Sequence, residues 1–139
     1  MPMKKYTGSC HCGAVRFEAD LDLSQGTMRC NCSLCAKVRS WFAIAAPEDF
    51  RLLDGDDAQQ VYEWIPPNRD AVNLHFRFCK TCGVRTPGFG DHGPGGKNFV
   101  FVPVALLEDT DADELAASLR YLDGKHDRFD RQPDDIRLM

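Results

Sequence analysis

The sequence predicts a mainly β single domain with one short helix towards its C-terminal end. Three observations carry this expectation. Apolar and polar residues alternate in short runs, as at residues 14–20 and 72–78, which is the period of half-buried strands. Gly, Pro, Asn and Asp punctuate the chain between those runs, where turns are needed. Only the stretch Thr110-Asp111-Ala112-Asp113-Glu114-Leu115 carries helix-start chemistry. At 139 residues the chain reads as one domain, 1–139, long enough to bury a core without cross-links.

Taken in order, residues 1–7 read as a short lead-in, Gly8-Ser9-Cys10-His11-Cys12-Gly13 as a turn and 14–20 as a strand. After a loop broken by Gly26, residues 27–30 form a second strand, and 33–38 has room for one or two helical turns. Residues 41–46 read as a buried strand closed by Pro47. Strands follow at 50–53 and 59–65 around the turn Asp54-Gly55-Asp56-Asp57, and Pro66-Pro67-Asn68 interrupts the pattern. The strand 72–78 runs straight into Cys79, and 84–89 returns, so that Cys79-Lys80-Thr81-Cys82-Gly83 forms a knuckle hairpin. Residues 88–96, rich in Gly, are expected to be a mobile loop, and 98–104 another strand. Thr110 and Asp113 have capping-box spacing, and the acidic first turn suits the helix dipole. That helix should stop before Asp123-Gly124. The polar tail, 125–139, has Phe129 and Ile136 as anchors.

Composition bounds the partners. The formal charge is −4 and basic residues occur only in short clusters, so no phosphate-tracking stripe for nucleic acid is present. No apolar run is long enough to span a bilayer. Lys4-Lys5 is not followed by the apolar segment of a secretion signal, so a reducing, cytoplasmic setting is expected. Seven cysteines are an odd number in such a setting, and metal ligation explains them better than disulfides.

Their spacing divides them. Cys10 and Cys12, with Cys79 and Cys82, are two pairs, each followed by a glycine that lets backbone N–H groups turn towards sulfur. Four thiolates close a tetrahedral zinc site. Cys30, Cys32 and Cys35 lie within six residues and leave one position of a second ion open. Zinc on three thiolates is a weak activator of water and a good acceptor for a fourth thiol. The alternatives are a closed structural site, with His11, His75, His92 or Asp91 as fourth ligand, and an iron–sulfur cluster, which three local thiols support poorly.

The stretches 8–18, 30–35 and 78–83 resemble the three signatures of the glutathione-dependent formaldehyde-activating enzyme family, which also includes the centromere protein V group. The resemblance is strongest over residues 8–105, and 106–139 is a divergent C-terminal helix and tail. It implies an Mss4-like, zinc-stapled β fold with two zinc ions. The structural ion would be held by Cys10, Cys12, Cys79 and Cys82, and the open catalytic ion by Cys30, Cys32 and Cys35. It also implies condensation of formaldehyde with glutathione to S-(hydroxymethyl)glutathione, a carbon–sulfur lyase activity.

The partners expected are therefore a small thiol such as glutathione and a small aldehyde. Candidate substrate contacts are Lys37 and Arg39 for the carboxylates, Trp41 as a pocket wall, and His92, with Asp91, as a proton relay. Arg69 and Lys97 could approach from loops. Two non-catalytic readings stand beside the enzyme: a thiol-binding carrier, and a zinc-stapled protein-interaction module.

Overall fold

A computed structural model describes residues 3–67 and 69–139. Met1, Pro2 and Asn68 lie outside the described residues, and with them part of the expected lead-in and of the Pro-Pro-Asn interruption. Among the described residues there are ten strands and two α-helices. In chain order the strands are β1 (Lys4–Ser9), β2 (Arg16–Leu21), β3 (Thr27–Cys30), β4 (Trp41–Ala45) and β5 (Phe50–Asp54). They continue with β6 (Gln59–Tyr62), β7 (Leu74–Cys79), β8 (Arg85–Gly90), β9 (Phe99–Pro103) and β10 (Leu119–Leu122). The helices are α1 (Ser33–Val38) and α2 (Ala112–Ser118).

The strands make a three-stranded sheet, β1-β2-β5, and a seven-stranded sheet, β10-β3-β4-β9-β8-β7-β6. Every pairing is antiparallel except that of β10 with β3. The strand period of two sorts side chains between faces. Phe17, Ala19 and Leu21 of β2 meet Ala43 and Ala45 of β4 and Val100 and Val102 of β9 in one buried cluster. Each large apolar side chain removed from water there contributes about 1.5–3 kcal/mol. The intervening residues of the same strands, Phe42, Ile44, Phe99 and Phe101, line a cleft on the other face of the large sheet. That is why 41–46 and 98–104 read as continuous apolar runs: one face packs on the core and the other walls a site.

Five expectations are corrected. The lead-in is strand β1, paired along its length with β2. Its lysines are exposed while Tyr6 is buried, so an edge strand passed for an unstructured start. Helix α2 ends at Ser118 instead of running on to residue 122, and Leu119–Leu122 becomes β10, pairing with Thr27–Cys30. The pairing with β3 overrides local helix propensity, as tertiary contacts commonly do. The cap is Asp111 rather than Thr110, its carboxylate accepting from the N–H groups of Asp113 and Glu114 at 2.9 and 3.4 Å. The expected strand 59–65 stops at Tyr62, and Gly88–Gly90 of the expected loop belongs to β8.

Gly55 shows how tightly the small sheet closes on the first cysteine turn. Its φ is +91°, and an added Cβ would lie 2.2 Å from the Ala14 carbonyl oxygen and 2.8 Å from the Val15 Cα. Both are backbone atoms, so no rotamer change relieves the clash. Gly55→Ala should therefore cost about 2–4 kcal/mol from overpacking and left-handed strain together, read as a lowered midpoint in urea unfolding.

Candidate metal centres and the cleft

The first cluster forms where β1 and β7 end. Cys10 follows β1 directly, and Cys79 is the last residue of β7. Each begins the same turn: Cys10 N–H donates to the Val15 carbonyl and Cys79 N–H to that of Val84, both at 3.0 Å. Gly13 and Gly83 take φ of +83° and +75°, the left-handed conformation that glycine adopts without penalty. The four sulfurs lie within 4.8 Å of one another, and Cys12 Sγ is 3.6 Å from both Cys10 Sγ and Cys79 Sγ. A tetrahedron with metal–sulfur bonds of about 2.3 Å has edges of about 3.8 Å, so this set fits a zinc-sized ion. Backbone N–H groups prepare the charge. The amides of Cys12 and Val84 lower the Cys82 thiol to about 6, and those of Cys82 and Thr81 hold Cys79 below its usual range.

The central cluster is built from three different kinds of position. Cys30 closes β3, Cys32 is the N-cap of α1, and Cys35 lies inside that helix. Cys30 Sγ accepts from the Cys32 N–H, and Cys32 Sγ from the Cys35 N–H, each at 3.4 Å. The three sulfurs converge within 4.8 Å, and among the described residues no histidine or carboxylate atom joins them at that spacing. The cluster shares its protons unequally. Cys30 and Cys35 donate towards Cys32 and hold it well below the ordinary thiol range, and Cys35 is pushed far up by Cys30 and Cys32. A cation is needed before all three can ionise together.

The C-terminal segment covers this cluster. Strand β10 runs parallel to β3, Leu122 opposite Cys30, and delivers Asp123, which is fully buried. Its carboxylate accepts from Asn31 Nδ2 at 3.0 Å and from Arg128 Nε and Nη2 at 3.0 and 2.5 Å, and lies 2.9 Å from His126 Nδ1. Asn31 Oδ1 in turn accepts from the Lys125 N–H at 2.8 Å. Asn31 sits between two of the thiols, so this network fixes the loop that carries them. Gly124 packs on sulfur itself: a Cβ there would lie 2.4 Å from Cys30 Sγ.

Beside the cluster lies a cleft of about 1340 Å³ that includes all three central thiols in its lining. Six arginines and Lys125 line it against a single carboxylate, Asp127, although the chain as a whole carries −4. Apolar walls come from Trp41, Phe42, Trp64, Phe76 and Phe101. Low-dielectric walls around charge of one sign concentrate anions at a site.

Of the expected contacts, Arg39, Trp41 and His92 line this cleft, and so does Arg69. Arg39 Nη1 donates to the Leu138 carbonyl at 2.7 Å, and Trp41 Nε1 to Thr27 Oγ1 at 2.9 Å. Lys37 does not join them. It lies on the exposed side of α1, away from the cleft lining, because the helical turn that points Cys35 inward points Lys37 outward. Lys97 is absent from the lining too. Asp91 pairs instead with His75 Nε2 at 2.7 Å, and His75 Nδ1 faces Glu63 in a short contact. The two carboxylates, Asp91 first, raise the His75 pKa. Arg85 and the Asp123–Asn31 pair escaped the sequence reading. A single arginine in a strand carries no spacing signal, and Asp123 and Asn31 are 92 residues apart.

The family model described as glutathione-dependent formaldehyde-activating enzyme matches residues 5–121. A crystal structure of a Rhodobacter sphaeroides protein, 28% identical, superimposes with a TM-score of 0.66 over 83% of this chain and 98% of that one.

The two clusters should fail differently. Cys79→Ser removes a sulfur from a cluster that joins segments 67 residues apart, and loss of soluble, folded protein is expected. Cys32→Ser should leave the fold intact and reduce bound metal by about one equivalent, read by elemental analysis beside circular dichroism. Asp123→Asn should weaken metal retention at the central cluster about tenfold or more in a chelator competition, as loss of an outer-shell partner does.

Proposed function

We propose, because this chain belongs to the glutathione-dependent formaldehyde-activating enzyme family, that it joins glutathione or a related thiol to formaldehyde or another small aldehyde. Run backwards, the same step is a carbon–sulfur lyase reaction. Cys10, Cys12, Cys79 and Cys82 are assigned the structural ion, and Cys30, Cys32 and Cys35 the catalytic one, giving two zinc ions per chain. Bound at three thiolates, zinc supplies a soft Lewis acid that keeps a further sulfur ionised yet nucleophilic. A reducing compartment such as the cytoplasm suits seven unpaired thiols.

The single observation that supports this reading is the convergence of three sulfurs, with no fourth protein donor among the described residues, beside a cation-lined cleft. The chain's own residues then have defined tasks. The arginines draw in a thiol that carries negative charge. The aromatic walls seat it and exclude water, which would otherwise compete for the aldehyde. The thiol sulfur adds to the aldehyde carbon, the carbonyl electron pair moves to oxygen, and the proton given up by the thiol is returned there. His92 lines the same cleft, and an imidazole is the side chain suited to carry that proton near neutral pH.

Glutathione should bind the metal-loaded protein, and S-methylglutathione at least about tenfold less well, since methylation removes the ionisable sulfur. Binding should release a proton, so affinity should rise with pH until the free thiol itself ionises. Calorimetry in buffers of different ionisation enthalpy counts that proton. Equal binding of both ligands without proton release would defeat the assignment. Clear discrimination without catalysed adduct formation would make the protein a carrier.

A further inference from the structure

Arg85 opens β8 three residues after Cys82, and its guanidinium lies over the rings of Phe76 and Phe78, 5.7 and 5.8 Å from their centroids. Aromatic faces hold a guanidinium in place without accepting its N–H bonds. Its Nη1 is buried and has no hydrogen-bond partner within the protein. A buried donor left unmatched is costly, and more so on a charged group. Three other arginines of the lining have partners in the protein: Arg39 the Leu138 carbonyl, Arg69 Asp127 at 3.7 Å and Arg77 Asp56 at 3.6 Å. Among the described residues no carboxylate pairs with Arg85. Of the four residues with such orphaned side-chain atoms among those described, Arg85, Arg77 and Asn73 line the cleft, so unmet hydrogen-bonding capacity gathers there.

Burial lowers the Arg85 pKa, while the charge of Cys35 acts in the opposite sense. An arginine remains a cation at any working pH, so this one sits half-buried, held over two rings and without an ion-pair partner among the described residues, in the cleft that holds the central thiols. A carboxylate, with two oxygens in a plane, is the group its forked N–H donors match.

We propose that Arg85 binds a carboxylate of the thiol substrate, so that the cleft selects thiols bearing an acidic group over those that lack one. This rests on the reading of the central cluster as a thiol-binding centre. Arg85 is then a specificity residue, acting on the part of the substrate remote from sulfur and setting affinity more than the rate of bond formation.

The test compares glutathione with cysteamine, a thiol with no carboxylate, by calorimetry on metal-loaded wild type, R85Q and R85K. R85Q should weaken glutathione about tenfold or more, leave cysteamine within about twofold of wild type, and keep the full metal content. R85K, which keeps the charge but not the fork, should recover part of the glutathione affinity. It also decides the matter should R85Q fail to fold, as a loss confined to glutathione. If both thiols weaken equally, Arg85 serves the thiolates rather than the substrate carboxylate, and the inference is overturned. Unchanged glutathione binding in R85Q overturns it while leaving the thiol-binding reading standing. Absence of glutathione binding in wild type overturns both.

Discussion

The contact on which the rest of the structure depends is that between Cys12 and Cys79, whose sulfurs lie 3.6 Å apart across 67 residues of chain. Cys10 and Cys12 follow a strand of the small sheet, and Cys79 ends a strand of the large one. Their meeting therefore ties the two sheets at one end, while the cluster around Phe17 and Val100 ties them through the middle. Closing so long a loop is opposed by chain entropy, which grows only slowly with length, and four converging thiolates would repel one another without a cation. A metal-thiolate bond network can offset both costs. The turns are prepared for it: a positive-φ glycine follows each knuckle, and amides already point at Cys79 and Cys82.

The large sheet then works on both faces. The side of β4 and β9 that carries Ala43, Ala45, Val100 and Val102 packs on the small sheet. The side that carries Phe42, Ile44, Phe99 and Phe101 faces the cleft. Rigid strands thus set the distance between the thiols at the end of β3 and the start of α1 and the arginine at the start of β8. Aromatic walls also make the cations matter more, because a charge beside low-dielectric surface is screened less than one in open water.

Local chemistry was legible in the sequence, and long-range partnership was not. Alternation located β2 and β7, and the four-plus-three division of the thiols follows from spacing and two glycines. Strand β1 was missed because Lys4 and Lys5, both exposed, mask the inward-facing Tyr6. Residues 119–122 satisfy a helical pattern until β3 offers them a partner. The substrate side of the site was the least readable part. Lys37 and Arg39 stand two residues apart beside the cysteines, yet one faces solvent and the other the cleft. Arg85 became visible only once Phe76 and Phe78 were seen beneath it.

The parallel pairing of β10 with β3 sets an order of assembly. A chain made from its N-terminus exposes Cys30, Cys32 and Cys35 together, with Asn31 among them, while Cys10 and Cys12 await partners about 70 residues downstream. The roof of the central cluster, Asp123 and Gly124, emerges later still. Domains generally fold as units once enough chain has emerged. For most of synthesis the central thiols are therefore complete as a ligand set yet uncovered. In that window they are open to metal and to oxidant alike, and the cap arrives only after either has had its chance. In the finished protein the same thiols still line a cleft, so the C-terminal roof narrows their exposure without ending it.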